Sequence, residues 1–256
     1  MAGPKLGQHF LANRETLERL AEAACPTPEP LVIEIGSGRG ALTEFLLPRA
    51  GRVVAIELDS VLANALRVRF PRAEVVEADV LATDLAQWGP AAVAGNLPYY
   101  ITSPILERIC ALGPLLKRAV VLMQREVAAR LVAKPGTRDY GFLTVATQLF
   151  TEPEVLFRIP PGAFSPPPKV ESALIEIVPA PTPAEAVPVA LLEKVTAAAF
   201  GQRRKMLRSS LNALGQDTAA LLEAAGIDPS ARAERISVAD FVRLARLLAE
   251  RTVKSR

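Results

Sequence analysis

Residues 31–40, Leu-Val-Ile-Glu-Ile-Gly-Ser-Gly-Arg-Gly, set a β-branched run directly against three glycines. A chain leaving a strand through such a segment must turn sharply and admit close backbone approach, which glycine permits because it has no Cβ. That combination opens a sheet whose ligand sits at the carboxyl ends of its strands. Further β-branched runs follow at 52–56, 73–76, 91–94 and 118–123, with amphipathic stretches at 41–47, 60–70 and 103–112. Ser103 is placed to cap the last stretch and Pro104 to open it. This alternation predicts a parallel sheet flanked by helices. Runs at 154–159 and 172–178 add two strands around a proline-rich loop, a spacing that permits an antiparallel pair. The expected fold is α/β and Rossmann-like, with seven mostly parallel strands.

Pro179, Pro181, Pro183 and Pro188 read as a linker. Beyond them the apolar period becomes 3.6, at 189–200, 202–214, 218–225 and 238–251, and Ser237 with Asp240 resembles a capping box. Two domains are therefore expected, 1–180 and a small helical one over 181–256. Residues 1–180 carry 18 Lys and Arg against 19 Asp and Glu, whereas 181–256 carry 12 against 8. The whole positive excess sits in the tail, which points either to a polyanion partner or to solvated helix faces.

Glu57 ends the second strand, 21 residues after Gly36, where its carboxylate can accept both ribose hydroxyls of an adenosine. Asp79 ends the third, in position to hold an exocyclic amine of adenine. These residues suit S-adenosylmethionine and NAD alike. With one histidine, His9, and two isolated cysteines, Cys25 and Cys110, the chain cannot assemble a multi-His/Cys zinc site or a CxxC pair. No bound metal is expected. No run of 18 apolar residues offers a membrane span and no signal segment precedes Gln8, so the expected setting is cytoplasmic, with no membrane partner.

Asn96-Leu97-Pro98-Tyr99 follows the fourth strand at the same edge. An exocyclic ring amine is a poor nucleophile because its lone pair is delocalised. Two acceptors, the Asn96 side-chain oxygen and the Leu97 carbonyl, can draw its nitrogen toward tetrahedral geometry. Pro98 fixes the turn, and Tyr99 offers a stacking face. Alkylation makes the amine acidic, so no strong base is required.

With these residues the chain resembles the KsgA/RsmA family of small-subunit (16S) rRNA adenine N6-dimethyltransferases. The likeness runs through Gly7-Gln8-His9-Phe10-Leu11, Glu34-Ile35-Gly36-Ser37-Gly38, Asn96–Tyr99, residues 160–170 and residues 199–205. The resemblance implies a class I methyltransferase domain using S-adenosylmethionine, which would dimethylate two adjacent adenosines near the 3′ end of 16S rRNA. The partner implied is 16S rRNA in a 30S assembly intermediate; a monomer is the default expectation. It also implies that Gln8, His9 and Leu11 line the methionine part of the cofactor, Gly36 and Gly38 its backbone turn, Glu57 the ribose and Asp79 the adenine. Asn96 would touch both cofactor and target, and Phe164 would face Tyr99 across the flipped base.

Two positions depart from the family pattern: His9 and Tyr100 stand where asparagine is usual. Arg203, Arg204, Lys205 and Arg208 place four positive charges within six residues, and beside a nucleobase-methylating motif they are expected to contact RNA phosphates. Competing readings are an Erm-type dimethylase of 23S rRNA, an rRNA-binding assembly factor and an NAD-dependent oxidoreductase. The 199–205 segment favours the small subunit over the large one. Nothing after the fourth strand resembles a hydride-transfer site.

Overall fold

A two-residue strand, β1 (Phe10–Leu11), is the first element in the computed structural model, which describes residues 9–180, 187–202, 205–215 and 217–254. Helix α1 (Arg14–Ala24) follows, its first turn closed by the Asn13 side chain accepting from the Thr16 N–H at 2.8 Å. Leu17, Leu20, Ala21 and Ala24 recur at helical spacing and are buried. The strand pattern of the sequence does not reveal this helix.

Strands β2 (Glu29–Ile35), β3 (Ala50–Glu57), β4 (Glu74–Glu77), β5 (Ala91–Asn96) and β6 (Leu116–Gln124) then alternate with helices α2 (Thr43–Leu46), α3 (Ser60–Arg69) and α4 (Thr102–Cys110). Helices α5 (Arg125–Leu131) and α6 (Phe142–Gln148) precede β7 (Thr151–Ile159), β8 (Phe164–Ser165) and β9 (Ser172–Pro179). The main sheet has seven strands in the order β4-β3-β2-β5-β6-β9-β7. From β4 to β6 the pairing is parallel, and β9 runs antiparallel to β6. The seven-stranded, mostly parallel α/β sheet is thus the one the sequence pattern predicts. Strand order reverses between β2 and β5, which opens a crevice at their carboxyl ends. Gly95 lets the two strands abut there, since a Cβ would lie 2.5 Å from the Ile35 carbonyl oxygen.

Ser103 does not cap α4. The helix starts at Thr102 as a continuation of a 3₁₀ turn over Tyr99–Ile101, and the Thr102 hydroxyl donates back to the Pro98 carbonyl at 3.1 Å. Pro104 lies within the first helical turn, where a missing N–H breaks no intrahelical bond.

The chain divides into two units, and the boundary differs from the one expected at residue 180. The first unit is Met1–Ala128 with Pro153–Pro179, and the second is Ala129–Glu152 with Ala180–Arg256. Residues 129–152 belong to the helical unit because Tyr140, Val145 and Leu149 bury themselves in one apolar cluster with Leu192, Phe241 and Leu244. The Tyr140 hydroxyl donates to the Ile236 carbonyl at 2.9 Å, and the Gly136 N–H to that of Glu234 at 2.7 Å. Pro181 and Pro183 of the expected linker lie outside the described residues.

In the second unit, α7 (Val189–Phe200), α8 (Leu207–Ser210), α9 (Thr218–Ala224) and α10 (Val238–Lys254) complete the fold. Of the helix expected over 202–214, the described residues form α8 and a 3₁₀ turn at Leu211–Leu214, with Lys205 and Met206 outside both. The start of α8 is set from afar, because the Leu207 and Arg208 N–H groups donate to the carbonyls of Ala231 and Pro229. Ser237 and Asp240 form the expected capping box: the Ser237 N–H donates to Asp240 Oδ2 at 2.8 Å and the Asp240 N–H to Ser237 Oγ at 3.2 Å.

Candidate active site

The crevice at the ends of β2, β3 and β5 is lined by His9, Gly36, Gly38, Glu57, Asp79 and the whole Asn96–Tyr99 segment. The loop after β2 carries left-handed glycines, with φ of +70° at Gly36 and +55° at Gly38. Side chains are strained in that conformation. At Gly38 a Cβ would also crowd the Phe10 ring at 3.0 Å.

Glu57 is 5% exposed, and each of its carboxylate oxygens accepts one backbone N–H. Oε2 takes that of Gly38 at 2.7 Å and Oε1 that of Asp59 at 2.9 Å. The carboxylate thereby fixes the glycine loop against the end of β3, and each oxygen keeps a lone pair for a ligand in the crevice. Asp79 uses Oδ1 to accept from the Leu81 N–H at 2.9 Å and lies at the rim.

Asn96 Nδ2 donates to the His9 carbonyl at 2.8 Å. The Leu97 N–H donates to the Leu122 carbonyl at 2.9 Å, which anchors the segment to β6. Tyr99 Oη and Ser172 Oγ are 2.6 Å apart, and burial pushes the Tyr99 phenol above its ordinary pKa, with Ser172 opposing. The His9 ring lies 5.8 Å from that of Tyr99, tilted by 34°, and its Nδ1 is 2.9 Å from the Pro166 carbonyl. A carbonyl only accepts, so Nδ1 carries the proton in this contact.

Two expected site residues are placed elsewhere. Phe164 is 4% exposed and Leu11 5%; they are register partners in the β1–β8 ladder and pack into the core with Leu17 and Leu174. Neither lines the crevice. Pairing of β8 with β1 turns both side chains inward, and the ring beside Tyr99 is that of His9. Gln8, Arg203 and Arg204 lie outside the described residues. Lys205 and Arg208 are exposed in the second unit.

The structure adds residues to which the sequence pattern gives no role. Phe10, Leu58 and Tyr100 line the crevice, and the Arg39 guanidinium lies 4.6 Å from the Phe10 ring centre. Phe10 and Leu58 adjoin His9 and Glu57, so adjacency is the available signal. Glu34 is buried beneath the glycine loop and accepts from the Thr43 hydroxyl at 2.6 Å. Burial pushes its pKa up to about 8, the Thr43 hydrogen bond opposing. Among the described residues no cluster of His, Cys, Asp and Glu is placed to hold a metal ion, and no helix is long and apolar enough to cross a membrane.

Residues 2–250 match the family model described as ribosomal RNA adenine dimethylase. The chain belongs to the ribosomal RNA adenine dimethylase family. Within that family it is 48% identical to ribosomal RNA small subunit methyltransferase A of Rhodospirillum rubrum, over 94% of this chain and 86% of that protein. It is 47% identical to the protein of the same name from Caulobacter vibrioides, over 96% and 97%. Its fold resembles a dimethyladenosine transferase from Plasmodium falciparum, with a TM-score of 0.84 and 26% identity over 96% of this chain and 98% of that one. The 23S rRNA methyltransferase ErmE matches with a TM-score of 0.72 and 31% identity, over 94% and 99%. The chain is a class I, S-adenosylmethionine-dependent rRNA adenine dimethyltransferase, and the Rossmann-like sheet is its methyltransferase core.

Proposed function

We propose that this dimethylase methylates N6 twice on each of two adjacent adenosines near the 3′ end of 16S rRNA, in a 30S assembly intermediate, as a cytoplasmic monomer. Support for the small subunit comes from the relatives that share nearly half of its residues and bear that name. The lower identity to ErmE makes the large subunit the weaker reading.

The observation that carries the chemistry is the Asn96 Nδ2 to His9 carbonyl hydrogen bond. It commits the donor end of the amide to the protein, so Oδ1 is the end left to accept from a target amine. With the Leu97 carbonyl as second acceptor, the amine's two N–H bonds are held and its lone pair is directed away from them. Tyr99, fixed by Ser172, is the aromatic face for the base.

The crevice fits S-adenosylmethionine on two counts: the left-handed glycine loop admits close backbone approach, and Glu57 presents a buried carboxylate whose remaining lone pairs match a pair of ribose hydroxyls. Gly36, Gly38, Glu57, Asp79 and His9 would hold it. When bound it supplies a methyl group on a positively charged sulfur, activated toward a neutral amine. The protein's share is alignment and exclusion of water.

The test is incubation of the enzyme with labelled S-adenosylmethionine and either ribosomal subunit isolated without its adenine dimethylation, followed by mapping of the label. Two adjacent N6,N6-dimethyladenosines near the 3′ end of 16S rRNA are expected. Label in 23S rRNA, or none in either subunit despite cofactor binding, would overturn the reading.

A further inference from the structure

We propose that Tyr100 is the stacking platform for the adenine adjoining the one being methylated. The proposal rests on the two-adenosine reading above and extends it to a subsite at the crevice rim. Tyr99, Tyr100 and Ile101 form a 3₁₀ turn, with three residues per turn, so successive side chains point about 120° apart. Tyr99 turns inward, to Ser172 and the His9 ring. Tyr100 turns outward: it is 60% exposed, yet it lines the same crevice. In the first unit it is the one exposed aromatic side chain among the described residues. Leu58, 53% exposed, adds a second apolar side chain to the rim.

An RNA strand that inserts one base into the crevice leaves the neighbouring base with a face stripped of its stacking partner. An exposed aromatic ring at the rim replaces that face. Because stacking on a π-face is indifferent to which base supplies it, the same ring serves whichever of the two adenines remains outside. This gives one site a way to hold the strand in both registers. It also gives a use to a tyrosine placed one residue from the target-binding ring.

The test uses the full-length enzyme. With small subunits lacking the modification, Tyr100→Ala is expected to raise KM roughly tenfold, the size of one base–aromatic stack. Tyr100→Phe is expected to restore it to within about twofold, since the ring and not the hydroxyl is used. Melting temperature and cofactor affinity, measured by calorimetry, should not move.

A second arm uses an RNA hairpin with two adjacent adenosines, one of them replaced by an abasic nucleotide. The wild type should bind the abasic hairpin more weakly, and Tyr100→Ala should lose nothing further, because the two deletions remove one contact. Additive losses, or an unchanged KM for Tyr100→Ala on subunits that the wild type labels, would overturn the role of Tyr100. Failure of the wild type to label those subunits would instead overturn the two-adenosine reading, and the subsite with it.

Discussion

The amide of Asn96, at the end of β5, donates to the backbone carbonyl of His9 across 2.8 Å and 87 residues of sequence. One hydrogen bond thus sets which end of the amide faces the crevice and ties the His9 backbone to the end of β5. Asn96→Ala is expected to lower the single-turnover rate of methyl transfer at least about 100-fold, the usual cost of losing a preorganised polar contact to the reacting group. The His9 carbonyl would lose one partner, costing about 1 kcal/mol of stability. Rapid-quench transfer and thermal melting separate the two effects, and a full rate in this variant would refute the amine-positioning role.

Phe164 makes its contribution in the core. Its ring is 4% exposed and paired in register with Leu11. Phe164→Ala is expected to destabilise the protein by about 3–5 kcal/mol, as for a large buried aromatic. Phe164→Leu should recover much of that stability, with a turnover number close to wild type. A loss of turnover in Phe164→Leu without any change in melting temperature would instead mean that the ring serves the target base.

Glu34 gives the stability a pH dependence. Its pKa is raised by burial to about 8, so the folded state keeps a proton that the unfolded chain releases near pH 4.5. Stability from this group is therefore greatest below that pH and falls as pH rises toward 8, by at most about 1.4 kcal/mol per pH unit. Glu34→Gln keeps an acceptor for the Thr43 hydroxyl and removes the titration. The melting temperature of Glu34→Gln relative to wild type is expected to rise steadily from about pH 5 to about pH 8. A difference independent of pH would show that Glu34 is not the proton-holding group.

Glu57, Asp79 and Asn96 are legible in the sequence because strand periodicity says where the chain emerges from a sheet, and each lies at or just past such an exit. The glycine loop is legible for the same reason. The burial of Phe164 and Leu11 is not, because their direction depends on the β1–β8 pairing, a contact between distant segments that no local pattern encodes. Residues 129–152 include α6, to which the sequence pattern gives no element, and local pattern does not say which core a helix joins. Tyr140 and Val145 place them in the second unit through packing. The inward Tyr99 and outward Tyr100 are distinguished by the 3₁₀ turn that carries them. An extended segment would turn them to opposite faces of a strand.

Arg203, Arg204 and Lys205 carry the last prediction. These charges, with Arg208, account for much of the positive excess of residues 181–256. Lys205 and Arg208 are exposed in the second unit. Each phosphate contact that a cation makes releases condensed counterions, so affinity falls with salt by a logarithmic slope of about 0.7–0.9 per contact. Replacing Arg203, Arg204 and Lys205 together by glutamine should therefore weaken binding to small subunits and lower that slope by about 2 to 3. Cofactor affinity, which the proposed site assigns to Glu57 and the glycine loop, should stay at the wild-type value. A charge cluster that merely keeps a helix face solvated would leave both the affinity and the slope unchanged. Titrations between low and physiological salt separate the two, and undiminished affinity at physiological salt would sink the assignment of this segment to RNA.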